Sequence, residues 1–164
     1  MTNDILDNLT HRKATLDDVK AIVDLLFNDS LGRTRENQHQ ILDLCYINAF
    51  HKIETDPNHY LMIVELGQEI VGTCHLTLIP SLTFQGSTRL QIEAVRVAET
   101  YRGQGIGSWM IRQAIAYGNS HGARIAQLTT NKKRSQSTTF YERLGFEITH
   151  EGMKRPISLK QRNI

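Results

Sequence analysis

Gln91–Tyr117, QIEAVRVAETYRGQGIGSWMIRQAIAY, is the stretch from which the rest of the chain is best read. Its start is strand-like: Leu90 to Val97 carries the β-branched residues Ile92, Val95 and Val97. Its end is helical, with Ile106, Met110, Ala114 and Tyr117 at spacings of three and four. Between them stands Arg102-Gly103-Gln104-Gly105-Ile106-Gly107. A glycine turn that opens a helix presents unpaired backbone N–H groups at the positive end of the helix dipole, an arrangement suited to phosphate.

Downstream, Gly122 stands where a glycine closes a helix, and Arg124–Thr130 reads as the next strand. Strand, turn, helix and strand make a βαβ unit, so the two strands are expected to be parallel. Asn131–Ser135 is a basic loop, Ser135–Leu144 a short helix stopped by Gly145, and Phe146–Thr149 and Lys154–Leu159 read as two final strands. Upstream, Tyr60–Leu66 and Ile70–Ile79 flank Gly67-Gln68 as a hairpin, which Pro80 ends. A loop, Ser81–Ser87, leads into the strand Arg89–Val97, giving a three-stranded antiparallel meander.

Nearer the N-terminus, Thr15 with Asp18 three residues on is an acidic form of the capping box. Leu16, Val19, Ile22, Val23, Leu26 and Phe27 follow at helical spacing, and the helix ends near Asn28 to Gly32. Thr34–Thr55 is a second helical pattern, with Ile41, Leu44, Cys45, Asn48 and Ala49 on one face and Phe50 and Ile53 nearby. Asp56-Pro57-Asn58 stops it. The residues up to about Leu9 are either a loose leader or the edge of a first strand.

The 164 residues favour one domain, spanning 1–164 with its core from about 9 to 159. The fold class expected is α/β: a mixed, mostly antiparallel sheet with one parallel strand pair and helices packed on it. A formal charge of +2 gives no global field that calls for nucleic acid or a membrane. The N-terminal MTNDILDNLTHRK lacks an apolar signal core, and no apolar run reaches the length of a membrane span. A cytoplasmic location is the expectation. Cys45 and Cys74 form no CxxC pair and read as free, buried thiols. His39, His51 and His59 lack metal-ligand spacing and read as surface residues, so no metal is expected.

Three phosphate motifs compete for the glycine turn. A P-loop needs a GK[ST] ending, and Gly107-Ser108-Trp109 lacks the lysine. A dinucleotide fingerprint fits Gly103 and Gly105, but its third glycine position is Ser108, and no acidic residue follows at the ribose position. The third is an arginine before alternating glycines, after a strand of the pattern V-x-V. That pattern, with Phe140-Tyr141-Glu142-Arg143-Leu144-Gly145-Phe146 downstream, resembles the GNAT superfamily of acetyl-CoA-dependent N-acyltransferases. Arg102, Gly105 and Gly107 satisfy its turn, Q/R-x-x-G-x-G/A, and the likeness reaches from RKATLDDVKAIVDL to the F-Y-E-R-L-G-F signature. Taken singly, each piece has a plainer reading: a tight connection, a core tyrosine, a solvated basic loop. Taken together, they lie at the ends of one parallel strand pair.

The resemblance implies direct attack of a primary amine, of a small molecule, on the thioester of acetyl-CoA through a tetrahedral intermediate. It implies that the pyrophosphate lies on the backbone of Arg102, Gly103, Gln104, Gly105, Ile106, Gly107 and Ser108. It implies that the pantetheine arm pairs with Val95, Arg96 and Val97 like an added strand, which requires the parallel pair to splay, for instance at a bulge around Ala94. A backbone N–H near Val95 would meet the thioester carbonyl. Tyr141 matches the family's general acid toward the departing thiolate. Glu93 resembles the acidic residue of I-E-D-x-x-V and is assigned as the base through water, placed two residues before Val95 and on its face; binding the substrate ammonium, or a structural role, are the alternatives. Ala94 departs from that pattern, and Thr129 stands where some relatives carry a glutamate. Asn131, Arg134 and Ser137 are expected to line the cofactor from the other side. The acceptor site is expected between the first two helices, the Pro80–Ser87 loop and the last strands, where Glu36, Asp43, Glu54 and Asp56 would favour a cationic amine. Dimers are common in the resembling family. The rival readings are a non-catalytic CoA-binding sensor or partner-binding domain, and an acetyltransferase of proteins or aminoacyl-tRNA.

Overall fold

The computed structural model describes residues 4–29, 31–39, 41–134 and 136–157. Its spine is a five-stranded sheet in the order β1-β2-β3-β4-β5: β1 Leu9–Lys13, β2 His59–Leu66, β3 Glu69–Ile79, β4 Thr88–Val97 and β5 Ala123–Leu128. Every neighbouring pair is antiparallel except β4 and β5, which are parallel. The helices are α1 Asp4–Asp7, α2 Val19–Phe27, α3 Leu44–Thr55, the single turn α4 Thr83–Gly86, α5 Ile106–Ser120 and α6 Ser137–Glu142. None is long and apolar enough to cross a membrane.

Strand alternation sorts the core into two layers. On one face, Ile106, Met110, Ile111 and Ala114 of α5 are buried with Met62, Val64, Cys74, Leu76, Leu90 and Ile92. On the other, Val19, Ile22 and Val23 of α2 and Phe50 of α3 pack on Leu61 and Ile63. Burying each of the larger side chains contributes about 1.5–3 kcal/mol. α5 lies close to β4 because Gly118 has no side chain; a Cβ there would stand 2.8 Å from Leu90 Cδ2.

The start of α2 follows the capping-box expectation. The Thr15 N–H donates to Asp18 Oδ2 at 2.7 Å, and the first turn, Leu16–Asp18, is a 3₁₀ turn. Arg12 of β1 reinforces it, donating to both Asp18 oxygens at 2.7 and 2.9 Å and to Glu65 at 2.9 Å. The hairpin turns at Gly67 with φ +63°, and Gly122 follows α5 with φ +77°.

Three expectations are corrected. The second helix starts at Leu44, not Thr34: Gly32–Thr34 is a 3₁₀ turn, and helix is absent from the described residues between Arg35 and Asp43. The run Glu36-Asn37-Gln38-His39 has no apolar repeat to bury. Instead Tyr46 Oη donates to Glu36 at 2.8 Å and accepts from the Asn37 N–H at 3.1 Å. The packed face of α3 is therefore Tyr46, Phe50 and Ile53, while Ile41 and Leu44 are exposed. Cys45 is exposed with them; only Cys74 is buried, and burial pushes its thiol up to about 12. Finally, the described residues from Phe146 to Ile157 form no strand, and the expected strand Lys154–Leu159 runs past the described residues. Gly152 and Pro156 break the alternation there, and Ile148, Met153 and Ile157 are exposed.

Candidate active site

Past Ile92 the parallel strands part. Their pairing runs from Thr88 to Ile92 on β4, opposite Ala123 to Leu128 on β5, while β4 continues to Val97. The expected bulge is at Ala94, whose φ is +51°. The register with β3 jumps from His75↔Glu93 to Thr73↔Arg96, so Ala94 and Val95 together oppose Cys74. The extra residue shifts the phase of the strand. Val95 and Val97 pack toward the α5 side, whereas Glu93 stands across from His75 on the α2/α3 side with its side chain exposed. Glu93 and Val95 thus do not share a face, because simple alternation fails across a bulge.

The glycine turn lies just beyond β4. Gly103 and Gly105 have φ of +78° and +86°, conformations that suit glycine. A Cβ on Gly103 would meet nothing within 4 Å; one on Gly107 would lie 3.3 Å from the Phe140 ring. Gly107 therefore serves the packing of α6 on α5. The first helical bond of α5 runs from the Trp109 N–H to the Gly105 carbonyl at 3.0 Å, so the N–H groups of Ile106, Gly107 and Ser108 precede the ladder. Arg102 Nε donates to the Val97 carbonyl at 3.2 Å, and Gln104 Nε2 to the Thr100 carbonyl at 3.1 Å.

The F-Y-E-R-L-G-F stretch forms α6 and a reversal. Gly145, φ +87°, lets the chain turn so that the Phe146 N–H donates to the Tyr141 carbonyl at 3.1 Å. The Tyr141 ring sits edge-on to Phe140 and Phe146, with centroids 4.9 and 5.9 Å away. Burial pushes the Tyr141 phenol up, and the positive charges of Arg96 and Arg134 pull against it; the net direction is upward, which keeps the proton on at neutral pH. Ser137 opens α6, its N–H donating to the Arg134 carbonyl at 3.1 Å. Asn131 is exposed, its side-chain carbonyl accepting the Lys133 N–H at 2.9 Å.

Asp29, just past α2, gathers two of the expected site arginines. Both arms of Arg134 donate to it, Nη1 at 2.8 Å, and Arg96 Nη2 lies 3.7 Å away. The Leu31 and Gly32 N–H groups donate to the same carboxylate at 3.2 Å. Arg96 also donates from Nη1 to the Val95 carbonyl at 2.7 Å. Arg96 and Arg134 are thus drawn together across the parting of β4 and β5, with their head groups on Asp29. Burial lowers the Arg96 pKa more than Asp29 raises it.

A second feature is the pair His59 and His75, with His59 Nδ1 2.8 Å from His75 Nε2. Thr77 Oγ1 is 3.3 Å from His59 Nδ1, and Asp56 is 3.7 Å from His59 Nε2. Burial and the neighbouring ring push His75 down to about 4, so it is neutral at pH 7. His59 is half-buried rather than a surface residue. Glu36 and Asp43 are occupied locally, by Tyr46 and Asn37. Sequence reasoning missed Asp29 and His75, since each has its meaning from a partner distant in the chain; an aspartate directly after the helix end, in Phe27-Asn28-Asp29, was the one local sign.

The model of the acetyltransferase (GNAT) family matches residues 22–146. A crystal structure of a transcriptional regulator from Bacillus halodurans C-125 superposes with a TM-score of 0.88 at 43% identity, over 91% of this chain and 99% of that one. The glucosamine 6-phosphate N-acetyltransferase of Trypanosoma brucei brucei is 36% identical over 52% of this chain and 56% of its own length. The aminoalkylphosphonate N-acetyltransferase of Salmonella typhimurium is 33% identical over 58% of this chain and 61% of its own. The chain thus spans less than two thirds of either of these curated relatives.

Proposed function

Because this chain belongs to the GNAT acetyltransferase family, we propose that it moves the acetyl group of acetyl-CoA to a primary amine of a small molecule. The observation that carries the reading is the parting of β4 from β5 at the Ala94 bulge, with the glycine turn at one end of the gap and Tyr141 packed beside it. The gap leaves Val95 to Val97 without a strand partner on the β5 side. This backbone can pair with the amides of the pantetheine arm, in place of the Arg96 and Arg102 side chains that hold the Val95 and Val97 carbonyls. The N–H groups opening α5 suit the pyrophosphate, each favourable anion contact at a helix terminus contributing about 0.3–1 kcal/mol. A neutral amine attacks the thioester carbon, the C–S bond breaks, and the phenol of Tyr141 gives its proton to the leaving sulfur. Glu93, exposed on the face opposite α5, takes the ammonium proton through water. Two of the similar proteins are named for amine substrates that also carry phosphate or phosphonate.

The test is thiol release from acetyl-CoA across a panel of amines, with Tyr141→Phe beside the wild type. Loss of the acid should lower kcat by about 100-fold or more while acetyl-CoA still binds; unchanged kcat refutes the role of Tyr141. The second reading, a non-catalytic CoA-binding regulator, is favoured by the likeness to the Bacillus halodurans transcriptional regulator. Tight acetyl-CoA binding with no thiol release on any amine would decide for it.

A further inference from the structure

The face of β4 that carries Glu93 also carries Arg89 and Gln91, since β4 alternates regularly up to the bulge. Among the described residues the ion-paired arginines are Arg12, Arg96 and Arg134. No carboxylate of the described residues lies within 4.0 Å of Arg89. Its side chain makes one long hydrogen bond, from Nη1 to Gln127 Oε1 at 3.5 Å, and Gln127 is itself turned to Gln91 at 2.7 Å. Among the described residues Arg89 Nε is buried without a partner, and so are Ser87 Oγ, two residues earlier, and Arg96 Nε, whose head group lies beside Asp29. Native proteins seldom leave buried donors unanswered, and the Arg89 side chain is partly buried. Ser87 also lines a shallow depression of about 350 Å³, with Phe84, Gln85, Arg124 and Ile125, and Ile125 is the β5 partner of Arg89.

We infer that Ser87 and Arg89 form an anion subsite, and that the acceptor is an amine that also bears a phosphate, phosphonate or carboxylate. The inference rests on the acetyl-transfer reading for the amine end and on these two side chains for the other. Guanidinium and hydroxyl are the donor set that meets an oxyanion with charge-assisted bonds. The strand sets the length of the ligand. Arg89 and Glu93 are four residues apart, about 13 Å along an extended chain. With a hydrogen bond of about 3 Å at the anion, and one such bond or two through the water at Glu93, about 4–7 Å separates the nitrogen from the anion. That is the span of an amino sugar phosphate or a short aminoalkyl phosphonate, and longer than an α-amino acid.

The experiment measures kcat/KM by thiol release for matched pairs: an amino sugar and its 6-phosphate, and linear amines ending in methyl, carboxylate or phosphonate at increasing chain length. The wild type should prefer the anionic member by about tenfold or more, the range of a charge-assisted bond, with an optimum length and the difference mostly in KM. The phosphonate and carboxylate arms identify the oxyanion. Arg89→Met should bring the ratio near one, and Arg89→Lys should restore part of it. A wild-type ratio near one, with the neutral amines turned over, overturns the subsite and leaves acetyl transfer standing. If no amine is turned over, acetyl transfer fails, and the subsite is still read directly by NMR titration with methylphosphonate. Shifts at Ser87 and Arg89 that vanish in Arg89→Met support it; no shifts, or shifts that persist in the variant, overturn it.

Discussion

Asp29→Ala takes away the carboxylate that Arg134 and Arg96 share. The side chains of Asp29, Arg96 and Arg134 are 10%, 13% and 26% exposed, so the group is largely removed from solvent. Removing one member of a buried pair costs about 3–5 kcal/mol, because the remaining charge is left uncompensated. Arg134 is partly exposed and can turn to water, which places the expected loss near the lower end, about 3 kcal/mol. For a chain of this size that lowers Tm by about 6–12 °C. Equilibrium urea denaturation of the wild type, Asp29→Ala, Arg134→Met and the double variant gives the loss and the coupling. The pH dependence gives a second check. Burial pushes Asp29 up, but the Arg134 bond, the charges of Arg96 and Arg134 and the Leu31 N–H outweigh it, so its pKa is lowered. Its contribution is complete above the ordinary carboxylate pKa of about 4 and is lost as pH falls through the lowered value. Wild type and Asp29→Asn should therefore converge in acid. A loss below about 1 kcal/mol at pH 7, or a coupling of zero with Arg134, refutes the reasoning.

Asp18, held down to about 2 chiefly by the Arg12 hydrogen bonds against its burial, should behave alike. Asp18→Asn costs about 1–2 kcal/mol at neutral pH, allowing for the partial exposure of Arg12, and the difference fades between about pH 4 and 2; NMR titration of the carboxylate against denaturation data tests it. Ala94→Gly should stabilise the fold by about 1 kcal/mol, since alanine at φ +51° carries the left-handed strain glycine avoids. Ala94→Val should lower Tm; a higher Tm for valine than for glycine would contradict the bulge.

Local chemistry made much of the fold legible. Gly67 marked the hairpin, Thr15 and Asp18 the start of α2, and Gly122 the end of α5; each acts on its immediate neighbours, so its effect can be read from a few residues. The splay and the bulge at Ala94 came through the family resemblance, which implies a pantetheine arm and with it a strand with free backbone. What was illegible depends on distant partners. Nothing near Arg96 or Arg134 in the chain announces that Asp29 will hold both, and His75 means little until β2 brings His59 beside it. The over-long second helix arose from counting Ile41 and Leu44 as a buried face when Tyr46, Phe50 and Ile53 are the residues that pack. The final strands were read from short apolar runs that glycine and proline interrupt.

The bulge at Ala94 also separates two halves of β4 that answer to different demands. Residues before it obey one alternation and residues after it another, so a change on either side does not propagate its phase to the other. On the proposed reading, substitutions at Ser87, Arg89, Gln91 and Glu93 would retune the acceptor while the segment from Val95 to Ser108 would keep its hold on acetyl-CoA. Deleting Ala94 would close the bulge and leave Val95 and Val97 toward α5 and Arg96 opposite, because two residues there stand against the single Cys74. The extra residue therefore sets the local bend and twist of β4, and not the faces on which Val95, Arg96 and Val97 lie.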